Sequence, residues 1–129
     1  MKEKLEQLLE NSYSPYSKFR VAAILVAKDG KEFLGVNVEN ASYGAAICAE
    51  RSAFVSAISH GYKPHDFEAL YIMVDSPKIS TCCFMCRQVI IEMMEKDKKV
   101  ICMNHHGDKK EFLVKELCPY PFDEKDLEL

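Results

Sequence analysis

The amino-acid sequence predicts an α/β fold, a three-layer sandwich in which helices cover a mixed central β-sheet of about five strands. Helix-like and strand-like segments follow one another in the order α-β-β-α-β-α-β-β, which is typical of such a sheet. The chain has 129 residues, and 48% of them are hydrophobic, enough to fill one compact core. It contains no repeat, linker or low-complexity stretch, so we expect residues 1–129 to form a single domain.

The first three elements are a helix and a hairpin. Residues 2–11 carry leucines at helical spacing among charged residues, which predicts an amphipathic helix that ends at the following S-Y-S-P-Y-S. Residues 21–27 form a continuous apolar run, and the turn signal K-D-G at 28–30 separates this run from F-L-G-V-N-V. Two apolar runs joined by such a turn predict a hairpin of two strands.

The rest of the chain alternates between helices and strands. A second helix is predicted from about Cys48 to His60, because a glycine follows it directly. E-A-L-Y-I-M-V-D at 68–75 predicts the third strand, R-Q-V-I-I-E-M-M-E-K at 87–96 the third helix, and K-V-I-C-M-N at 99–104 the fourth strand. E-F-L-V at 111–114 is a candidate fifth strand. The predicted sheet therefore has four strands and a candidate fifth.

Charge and hydropathy disfavour two classes of partner. The formal net charge is −3, from 17 basic and 20 acidic residues, and there is no long basic run, so nucleic-acid binding is not expected. No apolar run reaches the length of a membrane span, and the N-terminal residues lack the apolar core of a signal peptide. We therefore expect a cytoplasmic protein with reduced cysteines. In that compartment clustered thiols serve metal binding or catalysis more often than disulfides.

Three of the six cysteines are crowded into T-C-C-F-M-C-R-Q at 81–88. Cys83 and Cys86 have C-x-x-C spacing, but Cys82 and Cys86 can also share a helix face, so spacing alone leaves the pair open. Cys48 opens the second predicted helix as the cluster opens the third, and helix N-termini stabilise thiolates. If the two helices lie side by side, three thiolates can hold zinc and leave its fourth position open, which is the plan of a catalytic site.

Two charged residues beside Cys48 suit such a site. An open position on zinc lowers the pKa of bound water to roughly 7, and a carboxylate such as Glu50 is then needed to relay protons. Three thiolates overcompensate a divalent ion, and Arg51, with Arg87 as a second candidate, is expected to offset the excess charge through contacts to sulfur. Taken alone, Glu50 is an ordinary helix-start carboxylate. The joint occurrence of these residues favours catalysis.

Four motifs are shared with one family: S-P-Y-S-K-F at 14–19, N-V-E-N-A-S-Y-G at 37–44, C-A-E-R at 48–51 and C-F-M-C-R-Q at 83–88. Over nearly the whole chain, the sequence resembles the small, homotetrameric, zinc-dependent cytidine deaminases of the three-cysteine type. The resemblance implies their fold and the hydrolysis of cytidine and 2′-deoxycytidine to uridine and 2′-deoxyuridine with release of ammonia, a step of pyrimidine salvage. It implies one Zn²⁺ per chain, bound by Cys48, Cys83 and Cys86, with Glu50 as the catalytic proton carrier.

The same resemblance fixes the register of the cysteine cluster. The pair Arg87-Gln88 matches the family motif, so Cys82 takes the place of the family's proline and is expected to be a bystander. Phe84 also departs from the family pattern beside the zinc loop, and Tyr120 and Pro121 depart from it near the C-terminus. These departures affect the expected shape of the pocket and leave the zinc ligands and Glu50 in place.

Eight residues are expected to bind substrate. By resemblance, Asn37 and Glu39 grip the ribose 3′-hydroxyl and Phe19 contacts the pyrimidine. The backbone at Ala49 and Thr81 is suited by position to hydrogen-bond the edge of the base. The remaining three resemble residues that a neighbouring subunit contributes, which implies a homotetramer with shared active sites: Ala41, Tyr43 and Phe122. Without the cysteines, Asn37 and Glu39 would be interpreted as polar residues at the end of a hairpin.

Three alternatives are less favoured. A deaminase of a modified nucleoside such as blasticidin S is disfavoured because N-V-E-N-A-S-Y-G suits an ordinary ribose. A nucleic-acid deaminase is disfavoured by the acidic balance and the short chain. A structural zinc or thiol-redox module without catalysis would need neither Glu50 nor the ribose-binding pair. The adjacent His105 and His106 do not support such a module, because neighbours in a strand point to opposite faces.

Overall fold

The computed structural model describes residues 1–127. Within them the chain forms four α-helices and five β-strands: α1 (Lys2–Leu9), β1 (Val21–Ala27), β2 (Glu32–Val36), α2 (Ala49–Ser59), β3 (Phe67–Val74), α3 (Phe84–Met93), β4 (Lys99–Met103), β5 (Lys109–Leu113) and α4 (Val114–Leu117). Two short 3-10 helices lie at Tyr43–Ala45 and Glu124–Leu127. No helix in this part of the chain is long and apolar enough to cross a membrane.

The strands form one sheet in the order β2-β1-β3-β4-β5. β3 and β4 run parallel, and the other neighbouring strands run antiparallel. In the centre of the sheet, Ile24 of β1 stands opposite Leu34 of β2 and Tyr71 of β3. The predicted mixed sheet of about five strands is confirmed, and the candidate fifth strand lies at one edge.

Helices cover both faces of this sheet. Along β1, Ala23 and Leu25 belong to the core shared with α2 and α3, whereas Ala22 and Ile24 belong to the core shared with α1. All four side chains are fully buried. A strand that is covered on both faces has a continuous apolar run in place of an alternating pattern, and this explains the uninterrupted run at 21–27. The architecture is the predicted three-layer sandwich.

Gly35 of β2 lets the first turn of α2 lie directly on the sheet. A Cβ atom at this position would come within 2.3 Å of the carbonyl oxygen of Ala49 and 2.6 Å of the amide nitrogen of Ala53. Both contacts are to backbone, so no rotation of a side chain could relieve them. The small residues Ala49 and Ala53 are themselves fully buried at this crossing. Gly35 therefore sets the position of the N-terminus of α2.

The observed elements differ from the predicted ones in three places. α3 spans Phe84–Met93: it begins within the cysteine cluster, as the metal-site hypothesis expected, but three residues before the predicted segment at 87–96. β5 spans Lys109–Leu113, and its first three residues are exposed, so this edge strand lacks the apolar pattern that would have marked its start. Val114 belongs to the short helix α4, which the sequence did not predict.

Candidate metal centre and active site

Three cysteine sulfurs come together where the N-termini of α2 and α3 meet. The Sγ atoms of Cys48, Cys83 and Cys86 all lie within 4.8 Å of one another, and those of Cys48 and Cys83 are 3.7 Å apart. Two sulfurs that each lie about 2.3 Å from one tetrahedral zinc ion are about 3.8 Å apart. The donor atoms and their separation therefore fit a zinc ion held by three thiolates.

The ends of the two helices set this geometry. Cys48 and Cys83 are the N-cap residues of α2 and α3, and both have extended backbone angles. Cys86 lies in the first turn of α3. Side chains at these positions lie beside amide groups that have no partner within the helix, and the helix dipole there favours negative charge. The two helix starts thus stabilise the thiolate forms that a metal requires.

Hydrogen bonds among the sulfurs shift the pKa values of Cys48 and Cys86 in opposite directions. The pKa of Cys48 is lowered to about 5, chiefly because it accepts a hydrogen bond from Cys86 and further because Arg51 and Cys83 also hydrogen-bond to it. The pKa of Cys86 is raised, because Cys86 donates that hydrogen bond to Cys48 and is also desolvated. These contacts therefore favour the thiolate form at Cys48.

The two arginines predicted to balance the thiolate charge behave differently. Arg51 lies 3.5 Å from the Sγ atom of Cys48 through its Nη2 atom, as expected. Arg87 instead donates to the carbonyl oxygens of Cys82 and Leu117 and to the hydroxyl of Thr81, each at 2.8 Å. The expectation that Arg87 contacts sulfur is wrong, because these oxygens take up its donors. Arg87 holds the loop that leads into Cys83.

Glu50 is buried beside the sulfurs. Only 5% of this residue is exposed, and its side chain lines the same cavity as Cys48 and Cys83. Burial is the main cause that raises the pKa of its carboxyl group, and the nearby charge on Cys48 raises it further. A carboxyl group whose pKa is raised by burial is suited to both accept and donate a proton during a reaction.

The cavity in front of Glu50 has a volume of about 200 Å³ and brings together residues from five parts of the chain. The sequence predicted seven of its lining residues: Phe19, Asn37, Cys48, Ala49, Glu50, Thr81 and Cys83. It missed four others: Val21, Ile72, Val74 and Ser80. The three missed apolar residues belong to β1 and β3, where an apolar run cannot distinguish a cavity wall from the core. Ser80 gave no signal, although it lies directly before Thr81.

Asn37 lines the cavity and also fixes the loop before β1. Its Oδ1 atom accepts hydrogen bonds from the amide of Val21 at 2.9 Å and the hydroxyl of Ser12 at 2.5 Å. Its Nδ2 atom donates to the carbonyl oxygen of Phe19 at 2.8 Å. The side chain of Asn37 therefore sets the position of Phe19, the aromatic residue of the cavity lining, which is 40% exposed.

Glu39 lies in a separate depression of about 340 Å³, which it shares with Tyr16 and Tyr43. Its carboxylate accepts hydrogen bonds from the amides of Tyr16 at 2.9 Å and Ser17 at 3.1 Å and from the Ser17 hydroxyl. The hydroxyl of Ser17 is the main cause that lowers the pKa of Glu39. In the isolated chain, Glu39 is therefore engaged in holding the 16–17 turn.

The three residues expected to serve a neighbouring subunit lie away from the cavity. Tyr43 is 79% exposed and Phe122 is 58% exposed, and Ala41 is exposed as well. The backbone carbonyl of Phe122 accepts a hydrogen bond of 2.6 Å from Gln88 of α3. One chain thus brings together the three clustered cysteines, Glu50 and the residues expected to contact the base, but not Ala41, Tyr43 or Phe122.

Cys82 lies outside the three-sulfur group. It is 3% exposed and belongs to the core beneath α2 and α3. Burial is the main cause that raises the pKa of its thiol, and the neighbouring Glu50 raises it further. Among the described residues, the three sulfurs that lie within 4.8 Å of one another are those of Cys48, Cys83 and Cys86. The ligand set that the structure gathers is the one given by the Arg87-Gln88 register.

The chain matches the family described as the cytidine and deoxycytidylate deaminase zinc-binding region over residues 1–104. It is 42% identical to a cytidine deaminase of Halalkalibacterium halodurans over 121 residues, which cover 94% of this chain and 90% of that protein. It is also 42% identical to a cytidine deaminase of Sporosarcina psychrophila, covering 92% of this chain and 85% of the other.

A solved structure shows the same similarity. The crystal structure of cytidine deaminase from Burkholderia pseudomallei matches this fold with a TM-score of 0.89 at 42% sequence identity, covering 93% of this chain and 94% of that one. The crystal structure of cytidine deaminase from Mycobacterium leprae matches with a TM-score of 0.75 at 33% identity, over 92% and 94% of the two chains. The alignments thus extend well beyond the zinc-binding motifs.

Proposed function

The chain belongs to the cytidine and deoxycytidylate deaminase family, and on that premise we propose that it deaminates cytidine and 2′-deoxycytidine to uridine and 2′-deoxyuridine. Water replaces the amine at C4 of the base: a C–O bond forms, the C–N bond breaks and ammonia leaves. The observation that carries this proposal is the buried Glu50 carboxyl in a cavity that Cys48 and Cys83 also line.

The cavity suits a single small ring. Its volume of about 200 Å³ lies below the roughly 300–1,000 Å³ of pockets that hold drug-sized ligands. Phe19 and the apolar side chains of Val21, Ile72 and Val74 line it, which favours a flat, weakly polar base. A nucleobase therefore fits the cavity, while the sugar lies toward the depression that contains Glu39.

Zinc and Glu50 divide the chemistry between them. Cys48, Cys83 and Cys86 would hold the zinc ion, which would supply the Lewis acidity that makes water nucleophilic at neutral pH. Glu50 takes a proton from this water and delivers it to N3 of the base, which makes C4 electrophilic. Glu50 then takes the proton of the hydroxyl that is now on C4 and passes it to the amine as the C–N bond breaks and ammonia leaves. Its burial supports this role, since burial raises its pKa.

Ribose recognition is assigned to Asn37 and Glu39. Both side chains are anchored by hydrogen bonds of their own, Asn37 to Val21 and Ser12 and Glu39 to the 16–17 turn. Such anchored polar groups present fixed hydrogen-bonding positions to a 3′-hydroxyl. A ribose that hydrogen-bonds to these fixed groups makes contacts that the free base lacks, and this supports a preference for nucleosides over the free base.

We extend the proposal to the assembly, a homotetramer in which neighbouring subunits complete each pocket. Supporting it, Ala41, Tyr43 and Phe122 lie outside the cavity of their own chain. Several large apolar side chains are also strongly exposed, among them Phe84 at 75% and Tyr120 at 96%. Apolar side chains that are exposed in the single chain are available for contacts between subunits.

Three further assignments accompany this function. Residues 1–129 act as one domain, which the continuous five-stranded sheet supports. The protein works in the cytoplasm in pyrimidine salvage, since its substrate is a free nucleoside and all six cysteines are free thiols.

The proposal is tested by incubating the zinc-loaded protein with cytidine and following the absorbance change to uridine. We expect turnover of cytidine and 2′-deoxycytidine, and none of blasticidin S. Glu50→Gln should retain the fold and bound zinc but lose about 10²–10⁴ in rate, the usual contribution of a positioned acid or base. Glu92→Gln, at an exposed position on α3, is the matched control and should keep the full rate.

Zinc content must be measured for each variant, so that loss of the metal is distinguished from loss of the carboxylate. Near-normal turnover in zinc-replete Glu50→Gln would contradict the role of Glu50. A zinc-replete wild-type protein that converts none of the nucleosides would contradict the function as a whole and would favour a structural zinc module.

A further inference from the structure

Outside the catalytic site, two histidine side chains meet at the end of β4. The Nε2 atoms of His105 and His106 are 3.2 Å apart, with ring centroids 4.3 Å apart and ring planes at 79°. The expectation that these neighbours point to opposite faces of a strand is wrong. β4 ends at Met103, and both histidines lie in the turn that follows it.

The side chain of Asn104 holds this turn. Asn104 is 3% exposed, and its Oδ1 atom accepts hydrogen bonds from the amides of His106 at 3.0 Å and Asp108 at 2.9 Å. Its Nδ2 atom donates to the carbonyl oxygen of Pro77 at 2.9 Å. The backbone of the turn is therefore fixed from within and from the 75–77 segment, and the meeting of the two rings is built into it.

A carboxylate sets the tautomer of the first ring. The Nδ1 atom of His105 lies 3.4 Å from Oδ1 of Asp75, and Oδ2 of Asp75 accepts two hydrogen bonds from Arg20, at 2.9 and 2.6 Å. When the Nδ1–H group of His105 donates a hydrogen bond to this carboxylate, the Nε2 atom carries no proton and its lone pair is available. Histidines that bind metals are commonly oriented by a carboxylate in this way.

We propose that His105 and His106 bind a divalent transition-metal ion through their Nε2 atoms, at a site separate from the three-cysteine centre. Imidazole ligands suit Zn²⁺, Ni²⁺ and Cu²⁺. Two nitrogens that each lie about 2.0–2.1 Å from one tetrahedral ion are about 3.3 Å apart, close to the observed 3.2 Å. The ion takes the place of the N–H···N hydrogen bond between the two rings. The proton of His106 moves from Nε2 to Nδ1 of the same ring, and water molecules occupy the remaining coordination positions of the ion.

Metal binding at this site has a structural consequence. The amide of His105 donates to the carbonyl oxygen of Ser76 at 3.0 Å, and Asn104 holds Pro77, so the histidine turn is attached to the segment that follows β3. When an ion binds only the folded chain, the free energy of unfolding increases with the logarithm of the ion concentration once that concentration exceeds the Kd. Added metal therefore raises the temperature of unfolding through this turn.

The test is a calorimetric titration of the zinc-loaded protein with further Zn²⁺. We expect one additional equivalent in the wild type and in His65→Asn, a control on a distant surface loop whose positive φ of 75° asparagine tolerates. His105→Ala and His106→Ala should lose the additional equivalent, and Asp75→Asn should bind it about 10–100-fold more weakly. A wild type that binds no additional equivalent, or a His105→Ala variant that binds it as tightly as the wild type, would overturn the proposal.

Thermal unfolding provides the second measurement. Excess Zn²⁺ should raise the midpoint of the wild type and of His65→Asn and leave that of His105→Ala unchanged. The rate of cytidine deamination by His105→Ala reports whether this variant is folded and keeps its catalytic zinc. If a folded, active His105→Ala gains as much thermal stability from Zn²⁺ as the wild type, the histidines are not the ligands.

Discussion

Substitution of Gly35 by alanine tests how the sheet positions the catalytic helix. The new Cβ atom would lie 2.3 Å from the carbonyl oxygen of Ala49 and 2.6 Å from the amide nitrogen of Ala53. Ordinary contacts between carbon and its neighbours are about 3.5 Å, so α2 must move away from β2 by about 1 Å. Cys48 and Glu50 move with the helix, whereas Cys83 and Cys86 stay with α3.

Two effects of different size follow from this displacement. Overpacking of a buried site costs typically about 1–3 kcal/mol in the free energy of unfolding. At about 4 °C per kcal/mol for a domain of this size, the midpoint of thermal unfolding should fall by about 4–12 °C. Misplacement of catalytic groups by about 1 Å can cost about 10²-fold in rate, so kcat/KM should fall by about that factor even where the variant is fully folded.

The assay measures thermal unfolding, bound zinc and cytidine deamination on the same preparations. Gly44→Ala is the matched control, because a Cβ atom there meets nothing within 4 Å, and its free energy of unfolding should stay within about 0.5 kcal/mol of the wild type. A Gly35→Ala protein that unfolds at the wild-type temperature and retains the wild-type rate would refute the claim that the close approach at Gly35 positions α2.

Three other predictions concern the ligands, an ion pair and the C-terminal segment. Cys83→Ala should lose both bound zinc and deamination activity, whereas Cys82→Ala should keep both. If Cys82→Ala loses its zinc and Cys83→Ala keeps it, the assignment of Cys83 as the ligand is wrong by one residue. The pKa of Asp75 is lowered in the folded chain, chiefly by its hydrogen bond with Arg20. The ion pair therefore stabilises the fold at pH values above the pKa that Asp75 has in the unfolded chain, and this stabilisation is lost as the pH falls through the pKa of the folded chain. The free energy of unfolding in urea, measured at pH 6 without added metal, should accordingly be higher for the wild type than for Asp75→Asn by at most about 1 kcal/mol. This difference should vanish in acid. A difference that stays constant down to pH 2 would count against the ion pair. Truncation before Pro119 should reduce the mass measured by light scattering and weaken deamination while zinc stays bound; an active, full-sized assembly of truncated chains would contradict the role of Phe122.

Much of the fold could be predicted because both faces of the sheet are covered. The doubly buried β1 is apolar throughout, and the first two helices carry periodic patterns that end at turn residues. The apolar pattern alone did not show the start of α3, because Phe84 and Met85 are exposed at 75% and 64% and do not face the core. The close approach at Gly35 joins residues of β2 and α2 that lie far apart in sequence, and no local pattern reports such a contact.

The candidate site was predictable where the chemistry depends on spacing. Cys48 and Glu50 stand two residues apart at the start of one helix, and the C-x-x-C pair starts another, so local rules place all of them near helix ends. The choice between Cys82 and Cys83 depends on which side chain faces the core, and only the resemblance gave the register. The contacts of Arg87 could not be predicted, since one of its acceptors is Leu117, 30 residues further along the chain.

Arg87 shows why an arginine follows the last cysteine although it contacts no sulfur among the described residues. Its guanidinium holds Thr81 and Cys82, which precede the ligand Cys83, and at the same time the end of α4 at Leu117. The next residue, Gln88, holds the carbonyl oxygen of Phe122. The first turns of α3 therefore fix both the metal-binding loop and the segment that carries Phe122. In the proposed tetramer Phe122 reaches a neighbouring pocket, so a shift of α3 at one zinc centre also displaces a wall of the adjacent active site.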